Sequence, residues 1–126
     1  MKRTISTLII MFITIAIVSF GFILNTNATF SLSESLSQAE KLCSDGNRSK
    51  AENMLDNSIY EWENRSKKIM LFYNHDKIDQ VDESLHVAKI YAKTKQPEMF
   101  SAECNRTVIM LRHMHELELP TLYNIF

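Results

Sequence analysis

The sequence predicts an all-α protein: one N-terminal transmembrane helix followed by a four-helix bundle-like domain made of two helical hairpins. Three observations carry that prediction. Thr4–Leu24 is an apolar, uncharged run. After it the chain holds one glycine, Gly46, and two prolines, Pro97 and Pro120, too few for the turns of a β-protein. Apolar residues then recur in steps of three and four over four successive segments, the period of a helix with one buried face.

The first element is the apolar run. Its 21 residues make a helix of about 30 Å, the thickness of a bilayer's hydrocarbon core. The hydroxyls of Thr4, Ser6, Thr7, Thr14 and Ser19 can bond back to helix carbonyls. Gly21 has no small residue four positions away, so no GxxxG dimer face is formed. The competing reading is a cleaved signal peptide, with Thr26-Asn27-Ala28 before the cut. Signal peptides carry an apolar region of about 7–15 residues, and the longer run here favours an uncleaved anchor. Lys2 and Arg3 precede the run, and no further Lys or Arg occurs until Lys41. The positive-inside rule then keeps the N-terminus in the cytoplasm and places the rest outside. The expected division is 1–25, a basic tip and transmembrane anchor at the cell membrane, and 26–126, an extracytoplasmic helical domain.

The domain's elements follow in order. Residues 25–29 are polar, and either break the chain or let the anchor helix run on. Ser31 and Glu34 match a capping box, which marks a helix start. Leu32, Leu36, Ala39 and Cys43 form its stripe, and Gly46 ends it, giving a first helix of about 30–45. Ala51, Leu55, Ser58, Trp62, Arg65 or Ser66, Ile69 and Phe72 or Tyr73 continue at helical spacing through a second helix, about 48–73. Ile78, Val81, Leu85, Ala88 and Ala92 define a third, about 77–95, with acids crowding its start and lysines its end, as the helix dipole prefers. Pro97 suits the first position of a fourth, about 97–116, whose stripe is Phe100, Cys104, Thr107, Leu111 and Met114. An apolar tail, 117–126, closes the chain and is expected to fold back on the bundle or lie against a partner or the membrane. A weak internal repeat at an offset of 49 pairs Ala39 with Ala88, Leu42 with Tyr91, Cys43 with Ala92 and Ala51 with Phe100.

Little in the chain points to chemistry. Lys2 and Arg3 apart, 12 basic residues face 15 acidic ones, a mildly acidic and mixed surface that gives no sign of nucleic-acid binding. His113 and His115 stand two apart on a helix and so point roughly 200° from each other, whereas a metal pair on one helix wants a spacing of four. Asp76, Asp79, Asp82 and Glu83 are explained by their place at a helix start. No phosphate loop or nucleophile–base pattern is present, so the expectation is no enzyme, no catalytic or metal residues and no cofactor. Cys43 and Cys104 remain open between a disulfide, core side chains and a reactive thiol. Trp62, the one tryptophan, reads as core or as an anchor in a partner groove.

The layout of basic tip, apolar span and two helical hairpins, with Trp62, His75-Asp76-Lys77-Ile78-Asp79 and a terminal Asn124-Ile125-Phe126, resembles the domain-of-unknown-function 4363 family. These are small membrane-anchored proteins of Gram-positive spore formers. The resemblance implies a single-pass anchor and an exported helical domain, and it brings no reaction or ligand. It also implies a small multi-pass membrane protein as a partner. The Cys43/Cys104 pair and a first helix short on charge depart from the family pattern. Trp62, His75, Asn124, Ile125 and Phe126 are the candidate interaction residues. The expected role is a non-enzymatic protein-interaction module at the cell envelope. The alternative is an envelope sensor that binds a small molecule or lipid in a helical groove.

Overall fold

The structure, a computed structural model, describes residues 1–116. The tail 117–126, with the candidates Asn124, Ile125 and Phe126, lies outside the described residues. Four helices are described: α1 (Lys2–Ser44), α2 (Arg48–Ile69), α3 (His75–Lys93) and α4 (Pro97–Glu116). They run up, down, up and down, and each packs on its two neighbours in a closed square: α1 on α2 and α4, α3 on α2 and α4.

The first helix departs from the expected layout. No break occurs at 25–29, and no helix starts at Ser31. α1 is a single helix of 43 residues, roughly 65 Å long at 1.5 Å per residue. Residues 3–20 are exposed throughout, and this part is long and apolar enough to cross a membrane. Thr7 and Thr14 donate to carbonyls one turn back, at 2.9 Å each. From Gly21 the helix acquires a buried stripe of Gly21, Asn25, Ala28, Leu32, Leu36 and Ala39. That stripe is the reason the helix does not break. Asn25, Ala28 and Thr29 fall on the same face as Leu32 and Leu36, and burial against the other helices outweighs the poor helix propensity of the polar run. Thr29 helps by donating its hydroxyl to the Asn25 carbonyl at 2.8 Å.

The other stripes are buried as their spacing predicts. Ala51, Leu55, Trp62 and Ile69 of α2, Ile78, Val81, Leu85 and Ala88 of α3, and Phe100, Cys104, Leu111 and Met114 of α4 form one core with the α1 face. The bounds of α2 and α3 differ from expectation, α3 also ending at Lys93 rather than 95. α2 ends at Ile69 rather than 73, and the chain turns through Met70–Tyr73. α3 begins at His75 rather than 77, because extended Asn74 accepts from the Asp76 amide at 2.9 Å and caps the helix.

The internal repeat is visible in the far-end turns. Asn47 N–H donates to the Leu42 carbonyl and Gln96 N–H to that of Tyr91; Gly46 N–H donates to Cys43 and Lys95 N–H to Ala92. Each pair of positions is 49 apart. Both turns place one residue in the left-handed region, Gly46 at φ 82° and Lys95 at φ 58°. A Cβ at Gly46 would meet nothing within 4 Å, so Gly46→Ala tests the backbone alone. It is expected to lower stability by about 1 kcal/mol, read as a lower denaturation midpoint.

Candidate functional site

The near end of the bundle, beside the apolar part of α1, is where α1, the α2–α3 turn and the end of α4 meet. Gly21 lets Phe72 lie directly on the helix: a methyl there would stand 2.8 Å from the Phe72 Cγ. Phe72 also meets Phe20 edge to face, with ring centroids 6.4 Å apart. Phe22 faces His115 at 5.9 Å, and Thr26 Oγ1 lies 3.5 Å from His115 Nδ1. The Tyr73 hydroxyl donates to the Met114 carbonyl at 2.9 Å, tying the turn to α4. Above this collar an open groove of about 190 Å³ runs between α1 and α4. Phe30, Val108 and Leu111 give it an apolar wall; Ser33, Arg112 and His115 give it a polar edge. Phe30 is 71% exposed.

Asn25 sits on the buried stripe of α1, between Gly21 and Ala28. It is 1% exposed, and its side-chain amide has no hydrogen-bond partner among the described residues. An amide so placed costs about 1–3 kcal/mol. The sequence contained a signal for it, an Asn in register with Gly21, Ala28 and Leu32, but the polar run around it hid the stripe.

Trp62 is in the core, not on a surface a partner could reach. It is 1% exposed, and its indole N–H donates to Asp82 Oδ1 of α3 at 2.5 Å. This corrects its place among the interaction candidates: the ring is enclosed between helices, with its one polar atom satisfied inside. Burial pushes the Asp82 carboxyl above its ordinary 3.8; the Trp62 bond opposes this, as does His86, while Asp79 and Glu63 add to it. The folded protein therefore holds this proton more tightly than the unfolded chain. The stabilising contribution is complete below pH 3.8 and is lost as pH rises through the raised value. Asp82→Asn keeps an acceptor for Trp62 and removes the charge. It is expected to raise the denaturation midpoint at neutral pH and flatten the pH dependence in that window. A lower midpoint would show that the charged hydrogen bond outweighs desolvation.

Between α3 and α4 a second polar cluster is closed on itself. Ser84 donates to Glu103 Oε1 at 2.5 Å and lies 2.7 Å from the Thr107 hydroxyl. Arg106 reaches the same carboxylate oxygen at 3.1 Å. Every group there is engaged by a neighbour, as in a structural network. Between α1 and α4, Glu40 accepts from Ser101 and from Asn105.

Cys43 and Cys104 are free thiols on these two facing helices, Cys104 buried and Cys43 half-buried against the core. Burial, with Glu40, Cys43 and Glu103 nearby, pushes the Cys104 thiol up to about 12. It stays protonated at neutral pH and is a poor nucleophile.

His75, the first residue of α3, is exposed at the near end. His113 is exposed, whereas His115 turns inward to Phe22. His86 is exposed, with Nδ1 at 2.8 Å from the Asp82 carbonyl. Among the described residues no three His, Cys, Asp or Glu side chains come together in a metal-binding group. The arrangement as a whole offers a binding surface at the near end and satisfied polar clusters inside the bundle.

Comparison with known proteins gives one match. A family model described as Domain of unknown function (DUF4363) covers residues 22–125, beginning where α1 becomes buried. No curated protein and no solved structure matches the chain.

Proposed function

We propose the following role for this chain, which belongs to the Domain of unknown function (DUF4363) family: a membrane-anchored, extracytoplasmic, non-enzymatic interaction module of the cell envelope. The supporting observation is the unbroken α1, whose first half is bare and apolar and whose second half is one wall of the bundle. A helix of that kind transmits position and tilt, so the bundle is presented to partners at one height and orientation. Confinement to the membrane raises the effective concentration of partners held there. The basic tip, by the positive-inside rule, supports an N-terminus in the cytoplasm and a bundle outside.

The partner on this reading is another envelope protein, within reach of a near-end groove that lies close to the apolar span; the family resemblance implies a small multi-pass membrane protein. Its exposed Phe30 supplies an aromatic contact of the kind that carries binding energy. A second reading, a sensor for a lipid or small molecule, is supported by the lining of the α1/α4 groove, an apolar wall of Phe30, Val108 and Leu111 beside the polar Ser33, Arg112 and His115.

Purification of the full chain from detergent-solubilised membranes separates the two. The interaction reading expects a stoichiometric envelope protein to co-purify, and Phe30→Glu to weaken its retention. A chain that purifies alone, and whose thermal midpoint rises with lipids or metabolites, overturns that reading in favour of the sensor.

A further inference from the structure

We infer that the α2–α3 turn is a second membrane contact: Leu71 and Phe72 enter the leaflet next to the bundle, beside the apolar span. The inference rests on reading that span as a membrane anchor, and it adds a lipid-binding surface on the bundle itself.

Height is the first argument. The Phe72 ring packs on Gly21 and Phe20, inside the apolar run Thr4–Leu24 and about one helical turn short of its end. Whatever depth the span takes, the turn takes with it. A ring at the level of Phe20 shares the surroundings of Phe20.

Composition is the second. The far-end turns are polar, Ser44-Asp45-Gly46-Asn47 and Thr94-Lys95-Gln96, as turns in water are. The near-end turn is Met70-Leu71-Phe72-Tyr73. Leu71 is 79% exposed and Phe72 41% exposed. The two residues extend the bare apolar surface of α1 sideways onto the bundle, so one continuous surface asks for one continuous apolar solvent.

The flanks are the third. Lys67 and Lys68 are exposed in the last turn of α2, and Arg112 is exposed near the end of α4. All three stand at the near end, where exposed cations beside an apolar surface would meet the phosphates of anionic lipid headgroups. Asp76, the acid next to the turn, lies in the first turn of α3, where the helix N-terminus favours it. The Tyr73–Met114 hydrogen bond holds the turn in place, so the apolar tip is presented ready-made.

Tryptophan fluorescence in the full chain tests this. The protein is reconstituted in vesicles of phosphatidylcholine and phosphatidylglycerol, brominated either near the headgroup end or near the methyl end of the acyl chains. The native chain, with Trp62 enclosed in the bundle, sets the baseline. Leu71→Trp changes an exposed position and is expected to fold, as circular dichroism would verify. Its added emission is expected to shift to the blue and to be lost most strongly to the shallow bromines. Ile13→Trp, in the middle of the span, is expected to lose emission most to the deep ones. If Leu71→Trp emits as in water while Ile13→Trp is quenched, the anchor reading stands and the second contact is overturned. Such a turn would be free in solution or covered by protein. If neither is quenched, the anchor reading fails and the inference fails with it.

Discussion

Trp62→Ala is expected to destabilise the bundle by about 3–5 kcal/mol, a third or more of the stability of a domain this size. Two effects add. The ring is among the largest fully buried side chains, so its removal opens a cavity between α1, α2 and α3 that close-packed neighbours fill only in part. Its N–H is also the donor for Asp82, whose half-buried carboxylate would be left without a protein donor. Trp62→Phe separates the two. It keeps most of the volume and loses the bond, and is expected to cost about 1–3 kcal/mol. Chemical denaturation of the full chain in detergent checks both. Adding Asp82→Asn to Trp62→Phe should recover part of the cost of Trp62→Phe, and more than Asp82→Asn gains alone, because the acceptor left unpaired no longer carries a charge.

Asn27→Pro is the second large effect. Asn27 is exposed, so packing is not directly altered. Proline removes the amide that bonds one turn back and crowds the preceding turn, at a cost of about 3 kcal/mol within a helix. If residues 25–29 formed a linker, proline would be tolerated. In a continuous α1 the change is expected to lower the denaturation midpoint, and to free the bundle's orientation relative to the span. A spin-label pair, one in the span and one in the bundle, would report that freedom as a broadened distance distribution.

Much of this architecture was legible in the sequence, and the reasons are local. The stripes of α2, α3 and α4 stand at spacings of three and four, and they are buried from Ala51 to Ile69, from Ile78 to Ala88 and from Phe100 to Met114, while Ala92 is half-buried and Phe72 exposed. The start of α4 could be read because Pro97 marks it. The 49-residue offset pointed to two hairpins, and the paired left-handed residues Gly46 and Lys95 give it a structural basis.

The start of α3 was missed for a local reason, the Asn74 cap, and the larger misses are tertiary. Ser31 and Glu34 have the residue types of a capping box, yet a cap needs Ser31 outside the helix, and the burial of Asn25, Ala28 and Thr29 holds the upstream turn helical. The bond from Trp62 to Asp82 joins residues 20 apart on different helices, which no periodicity within one segment can show. Gly21 looked purposeless because the reason for it, Phe72, lies in another element 51 positions later. For the same reason the near-end collar could not be assembled from motifs. It is made of single residues from three elements.

Amide hydrogen exchange at residues 25–29, in the full chain reconstituted in a bilayer, tests the central claim that span and bundle share one helix. The account predicts that these amides exchange as slowly as those of Leu32–Ala39, because they open only with the bundle. Exchange at the rate of open chain, with Leu32–Ala39 still protected, would contradict it. The bundle would then hang from a flexible linker, with neither its height nor its orientation set by the anchor.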